Sequence, residues 1–569
     1  MSGLVSSRGL VPWLAAALLA AGACDGGGAA DADAGPDGST DTDTDVDTDA
    51  DSDSDSDADA GTDGGGFVCE VDPERVFDDV AFLSSEEMAG RYPASEGNDA
   101  ALAMAEAAFD ELGLEPAGDD DTFRQLFDFQ AWSLLEAPSV AIGGGDLVPC
   151  TEFDVLSSSG SAALTAEIVY VGYGMTVPPY DPADYPDCPL PPTGYDDYEG
   201  VDVNGKIALV VRHGPDDDAT VPATCPDNGL CGGVECLWNF AYKTANAELH
   251  GADAIILVQH YGAGPEPMHA AAGDYVDDFA AVWADRDAVE AAIPDLQAWT
   301  DGIDAALAPD PHATGVDAAI GVAAVASTEP VANLLGAIPG TDPELGDEVV
   351  VVGAHIDHLG ADVCAYLGAD DNASGSAVIL ELARLISECA SPARTIVFAL
   401  WNGEEEGLLG SIHYVGHPIY PLAATVAAFS VDMVGDGNGT GLALYGTTLT
   451  ANAWLQDVMA GSAAEMGLDF DVAAMPQSGA SDHAPFAAVG VPAVMATTLG
   501  SHPYYHTPAD TIDTIDLENL EASAALMYAG IKPLVEGTEE LYLTSGKALR
   551  EELPSVQIGY EEDRHFKNR

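Results

Sequence analysis

Residues 348–360 read EVVVVGAHIDHLG. Four consecutive valines make an apolar run without alternation, and the first side chains able to do chemistry, His355 and Asp357, come only at its end. A strand that is apolar at every position must be covered on both faces, which a parallel sheet between helices provides. The neighbouring segments repeat the pattern. ASGSAVILELARLISEC (373–389) has the period and length of a helix, and TIVFALW (395–401) and TVAAFSVDMV (425–434) are further apolar strands. Alternation of such strands with helices predicts an α/β fold with a mostly parallel central sheet covered by helices on both faces. Its functional groups should gather beyond the carboxyl ends of the strands.

Acidic and histidine residues fall where that rule puts them. His355 and Asp357 are two apart and share one face of a strand. That spacing suits an imidazole whose second nitrogen is held by a carboxylate, as around a metal ligand. GADDNASG (368–375) is an acidic loop opening a helix, FSVDMVGDG ends a strand at Asp432, and HPYYHTPADT (502–511) brings His502 and His506. WNGEEEGLLGS (401–411) stacks three glutamates after an apolar run. Like charges so close repel and are costly to desolvate, so either the three form a solvated turn or a positive centre holds some of them. Each feature alone is equally well an N-cap aspartate or a surface turn. Together at one sheet edge they predict a carboxylate-rich site with imidazoles, which suits Zn²⁺, with Co²⁺ or Mn²⁺ as substitutes.

The rest of the 569 residues bounds the class of protein. Acidic residues number 97 against 16 basic ones, a formal net charge of −81. With residues 1–66 set aside, 82 acidic and 15 basic residues remain, so the folded part is itself acidic. No basic footprint exists for nucleic acid or for an anionic lipid surface. The acidity reads either as a solubility trait or as adaptation to salt, which screens self-repulsion. Arg8 followed by LVPWLAAALLAAGA and then Cys24 reads as an export leader. The ending AAGAC resembles a bacterial lipobox, which predicts a lipid anchor at Cys24 and a place at the cell envelope, or secretion if Cys24 is not lipidated. Residues 25–66 are Asp-rich and have little to bury, as in an extended tether. The eight remaining cysteines of an exported chain predict up to four disulfides of open connectivity. CPDNGLCGGVEC (225–236) lacks a CxxC pair and reads as a disulfide loop rather than a metal site. Near the amino terminus, Ser95 and Asn98 are available as helix caps and Gly113 as a stop.

The motifs LSSEEMAGR (83–91), GAHIDHLG, GADDNASG, WNGEEEGLLGS, SDHAPF (481–486) and YHTPADT occur in an order that resembles the co-catalytic di-zinc aminopeptidases of the bacterial leucyl aminopeptidase kind. Their clan also holds glutamate carboxypeptidases, glutaminyl cyclases and the transferrin receptor ectodomain. EIVYVGYG, YEGVDVNGKIALVVRHGP and KTANAELHGADAIILVQH resemble a protease-associated domain inserted in such enzymes. The resemblance implies a signal peptide at 1–24, a tether at 25–66, peptidase sequence at 67–137 and 326–540, the β-rich insert at 138–325 and a tail at 541–569. It also implies two zinc ions: His355 and Asp432 on one, Glu405 and His506 on the other, and Asp371 bridging. Glu404 would be the general base, Asp357 would support His355, and Asp370, His358 and His502 would not be ligands. Glu406 has no counterpart role and reads as a solvated first-turn residue whose change to Gln is nearly silent. Substrates would be peptides with a free amino terminus, met by a monomer. A carboxypeptidase or dipeptidase, or a non-catalytic binding protein on the same fold, are the alternatives. Some relatives carry a tyrosine five residues before the His of SDH to help the oxyanion. Ser478 stands there in this chain, which leaves Tyr504 and Tyr505 as candidates by proximity.

Overall fold

The structure, a computed structural model, describes residues 69–538 apart from 187, 216–224, 227–236, 238–239, 261–276, 437–440 and 468–469. The leader with Cys24, the Asp-rich stretch, Cys231, Cys236 and the tail from 541 lie outside the described residues. Among the described residues no helix is long and apolar enough to cross a membrane.

Nine strands form the main sheet. Its centre is parallel, in the order Thr395–Trp401, Val349–His355, Thr425–Val431 and Ala493–Thr498. Antiparallel strands flank it: Ala324–Ile338 beside Thr395–Trp401, and Gly441–Tyr445 beside Ala493–Thr498. Successive side chains of a strand point to opposite faces, and both faces are buried here. Val350, Val352 and Ala354 enter the larger core with Ile396, Phe398 and Leu400, under the helices Pro73–Leu83, Gly375–Cys389 and Leu517–Val535. Val349, Val351, Val397, Ala399 and Trp401 face the other way, against Tyr414, Val415 and Phe486 from the helices Leu409–Gly416 and His483–Ala488. The unbroken apolar runs are thus two half-cores printed on one strand.

The second sheet has eight strands, falling between Ser139 and Val322. It is not purely antiparallel: Ala162–Tyr170, Ile207–Val211, Ala254–Val258 and Ala280–Ala284 run parallel. The helix Phe240–Leu249 connects two of them, and Arg286–Ala292 and Leu296–Ala306 follow the last. A long antiparallel ribbon, Arg124–Leu134 with Ala324–Ile338, leads from one sheet to the other. Disulfides join Cys69 to Cys389, Cys150 to Cys364 and Cys188 to Cys225. The second of these bonds the insert to the segment between His358 and Asp371.

At the amino-terminal end, Asp72 caps the helix Pro73–Leu83, and Ser95 caps Glu96–Glu111 by accepting from the Asn98 amide at 3.1 Å. Asn98 is not a cap. It sits inside the helix, fully buried, and its side chain reaches the Arg91 carbonyl and the Asn402 amide.

Candidate metal centre

The sequence-predicted site residues lie at the ends of strands of the parallel core or in the loops that follow them. His355 is the last residue of Val349–His355, Glu404 and Glu405 follow Thr395–Trp401, and Asp432 follows Thr425–Val431. His506 comes from the loop after Ala493–Thr498, and Asp371 from the turn Ala369–Ser374 that opens the helix Gly375–Cys389. Four neighbouring strands therefore deliver ligands to one spot.

Asp371 organises the cluster. Its Oδ1 is 3.2 Å from His355 Nε2, which is also 3.4 Å from Asp432 Oδ1. Its Oδ2 is 3.0 Å from His506 Nε2, which is 2.9 Å from Glu405 Oε2. One carboxylate thus serves two pairs, each an imidazole with an acid. Asp371 Oδ2, Asp432 Oδ1 and His506 Nε2 are buried and make no hydrogen bond among the described residues, although Asp371 Oδ2 and His506 Nε2 lie 3.0 Å apart and Asp432 Oδ1 lies 3.4 Å from His355 Nε2. Buried polar atoms that converge without bonding each other are costly unless a shared partner satisfies them. A cation does so, and nitrogen and oxygen donors in this number suit zinc.

Electrostatics points the same way. Burial lowers the affinity of His506 for a proton, but Glu405 and Asp371 outweigh it and raise its pKa to about 10. Burial acts to raise Glu405, yet His506 and His358 bring it down to about 2. Without a cation His506 would stand in as the positive centre. Glu404 differs. It keeps part of its surface open, and burial, with Glu405, Asp482 and Asp432 nearby, pushes it well above the ordinary carboxylate range.

Three supporting contacts differ from the sequence reading. Asp357 was expected to hold the second nitrogen of His355. That Nδ1 donates instead to the Asp357 backbone carbonyl at 3.2 Å, with the carboxylate 3.9 Å away. The carboxylate accepts the backbone N–H groups of Glu404 (3.2 Å) and Glu405 (3.3 Å), so Asp357 aims the glutamate loop. His358 donates Nδ1–H to Glu405 Oε1 at 2.6 Å, leaving Oε2 for His506. It falls within the same compact group as Asp371, Glu405 and His506, and burial lowers its pKa.

The third concerns Glu406, which is not a solvated first-turn residue. The helix begins at Leu409, and Glu406 is half-buried, accepting from Ser157 Oγ of the insert at 3.4 Å and from the Tyr92 hydroxyl. The expectation of a silent substitution is corrected accordingly: Glu406→Gln should cost about 1 kcal/mol of stability, read from a denaturant midpoint. An unchanged midpoint would show the seam contact to be idle.

Several residues without an assigned role brace the turn. Asp510 accepts the amides of Asp370 (2.8 Å) and Asp371 (3.0 Å). Asp370 turns away from the cluster: Oδ1 accepts the amides of Gly435 and Asp436, and Oδ2 lies 2.6 Å from His502 Nδ1. The only sequence signal for Asp510 was its place in YHTPADT. Ser478 Oγ accepts the Ala480 amide and serves its own turn, while the Tyr505 ring stacks on His506 with centroids 3.8 Å apart.

A doubly covered α/β sheet with a buried imidazole–carboxylate cluster at its strand ends makes a candidate metal centre. Known proteins narrow this further. Residues 333–531 match the model of peptidase family M28, and residues 164–291 match the PA domain. The chain thus carries a segment similar to peptidase family M28, with one similar to the PA domain ahead of it. It is 35% identical over 195 residues to aminopeptidase YwaD of Bacillus subtilis (strain 168), a match covering 33% of this chain and 42% of that relative. The chain therefore spans less than half of that curated relative's length. The solved aminopeptidase from Aneurinibacillus sp. strain AM-1 superposes with a TM-score of 0.58 at 25% identity, over 82% of this chain and 94% of that one. A zinc aminopeptidase structure from Bacillus subtilis shares the fold, with a TM-score of 0.58 at 22% identity, over 84% and 98%.

Proposed function

We propose that the protein is a zinc-dependent aminopeptidase that removes amino-terminal residues from peptides. The observation that carries this reading is the split use of Asp371, one oxygen toward His355 and Asp432, the other toward His506 and Glu405. His355, Asp432 and Asp371 would hold one zinc, and Glu405, His506 and Asp371 the second. Two such ions supply Lewis acidity to a scissile carbonyl and acidify water so that it attacks near neutral pH.

The chain's own residues supply the proton traffic and the aim. Glu404 is partly open to solvent and its affinity for protons is raised, so it can take a proton from the attacking water and pass it to the leaving amine. Asp357 fixes the loop that carries it, through the Glu404 and Glu405 amides. Tyr505, exposed to solvent and with its ring stacked on His506, is the candidate donor to the oxyanion. The carboxylates beside Glu404, Asp432 and Asp482 among them, offer charge to a substrate ammonium.

The test is turnover of an amino-terminal leucyl anilide against a C-terminal glutamyl peptide, before and after chelation. The expected result is hydrolysis of the anilide, loss with chelator and return with zinc. Release of the C-terminal glutamate instead would make the protein a carboxypeptidase of the same clan. No turnover of either, with zinc bound, would make it a binding protein on this fold.

A further inference from the structure

LSSEEMAGR (83–91) contributes no ligand, yet its last residue is placed directly beneath the cluster. Arg91 is wholly buried and adopts a left-handed backbone conformation, with φ of 51°. Its guanidinium is spent on main-chain carbonyls. Nε donates to Ile356 O at 2.8 Å, Nη1 to Leu83 O at 2.6 Å and to Leu367 O at 2.7 Å, and Nη2 to Gly368 O at 2.9 Å.

Three of these four acceptors belong to the two loops that carry ligands. Ile356 lies between His355 and Asp357, and Leu367 and Gly368 run straight into Asp370 and Asp371. The main chain around Arg91 adds to the join: its own carbonyl accepts the His358 amide at 3.4 Å, and the Gly90 carbonyl accepts the Gly360 amide at 3.1 Å. Burying a guanidinium is expensive unless its donors and its charge are both matched. The carbonyls match the donors, and the negative field of Asp510, Asp371, Asp357 and Glu405 offsets part of the cost of burial, which still brings the pKa down to about 10. A planar fork can reach carbonyls on separate loops at once, which the point charge of a lysine cannot.

We propose that Arg91 is a positioning residue of the metal centre: a permanent buried cation that clamps the His355–Asp357 loop to the Asp370–Asp371 turn, so that the ligand geometry exists before zinc arrives. This rests on the metal-site reading above, and it adds a role that acts through backbone carbonyls rather than on substrate.

The experiment measures zinc affinity of the full chain by competition with a chelator of known strength, beside far-UV circular dichroism and the melting midpoint with and without metal. Arg91→Lys is expected to keep the secondary structure and to bind zinc about 10–100-fold more weakly, the scale seen when groups that orient ligands are lost. Saturating zinc should then restore much of kcat. A fold-only role is distinguishable: a lower melting midpoint with zinc affinity within about two-fold of wild type overturns the proposal. Should Arg91→Lys fail to fold, Asn98→Ala keeps the arginine but removes the amide that holds the Arg91 carbonyl at 3.1 Å, which frees the guanidinium to shift from its carbonyl acceptors. It should weaken zinc by about ten-fold, and unchanged affinity there overturns the proposal equally. A wild-type chain that takes up no zinc would overturn the metal-site reading and this inference with it. Zinc binding without peptide hydrolysis would overturn only the aminopeptidase reading.

Discussion

Glu404→Gln is expected to retain zinc at the wild-type level and to lose turnover of an aminoacyl anilide by about 10²–10⁴-fold, the usual weight of a general base. Gln occupies the same volume, and the backbone at 404 is held independently by the Asp357 carboxylate, so the loop should not move. What changes is proton capture. Burial and the neighbouring carboxylates raise the proton affinity of Glu404, whereas an amide has no site for the proton. KM should change far less than kcat. Near-normal activity with normal metal content would remove Glu404 from the reaction.

Asp371→Asn should do the reverse and empty the site. Each oxygen of Asp371 faces a different imidazole, at 3.2 Å and 3.0 Å, so one substitution weakens both halves. The amide nitrogen would also turn its hydrogens toward one of them. Metal analysis after dialysis is expected to find little zinc and no measurable turnover. His506→Ala, by contrast, should lose zinc from its own half while His355 and Asp432 keep theirs. Equal metal content in the two variants would argue that the halves are not separate sites. The folded state should survive either change, because Asp371 is held by the Asp510 contact to its amide rather than through its side chain alone.

The parallel sheet could be read from the valines at 349–352 and from TIVFALW, because a strand with no polar face can only be covered twice. The same strand ends drew attention to His355, the glutamates and Asp432, but the choice of ligands came from the resemblance of the motifs. The mixed character of the insert was not legible, since short apolar strands look alike whether they pair parallel or antiparallel.

Local pattern determined which residues end the strands and where the helices start, and it put acidic and histidine residues at one edge; the family resemblance singled out seven of them, Asp371 over Asp370 and His506 over His502. Tertiary structure alone decided what those side chains lean on. Asp510 reaches the Asp370 amide across 140 positions, Arg91 reaches Ile356 across 265, and Ser157 reaches Glu406 across 249. Sequence periods of 2 and 3.6 report only which near neighbours share a face. The assignment of Asp357 to His355 followed that local rule, but the folded chain brought the Glu404 and Glu405 amides, 47 and 48 positions away, to its carboxylate. The partner of a buried polar group is whichever donor the packed chain brings within about 3 Å, and only the fold determines that.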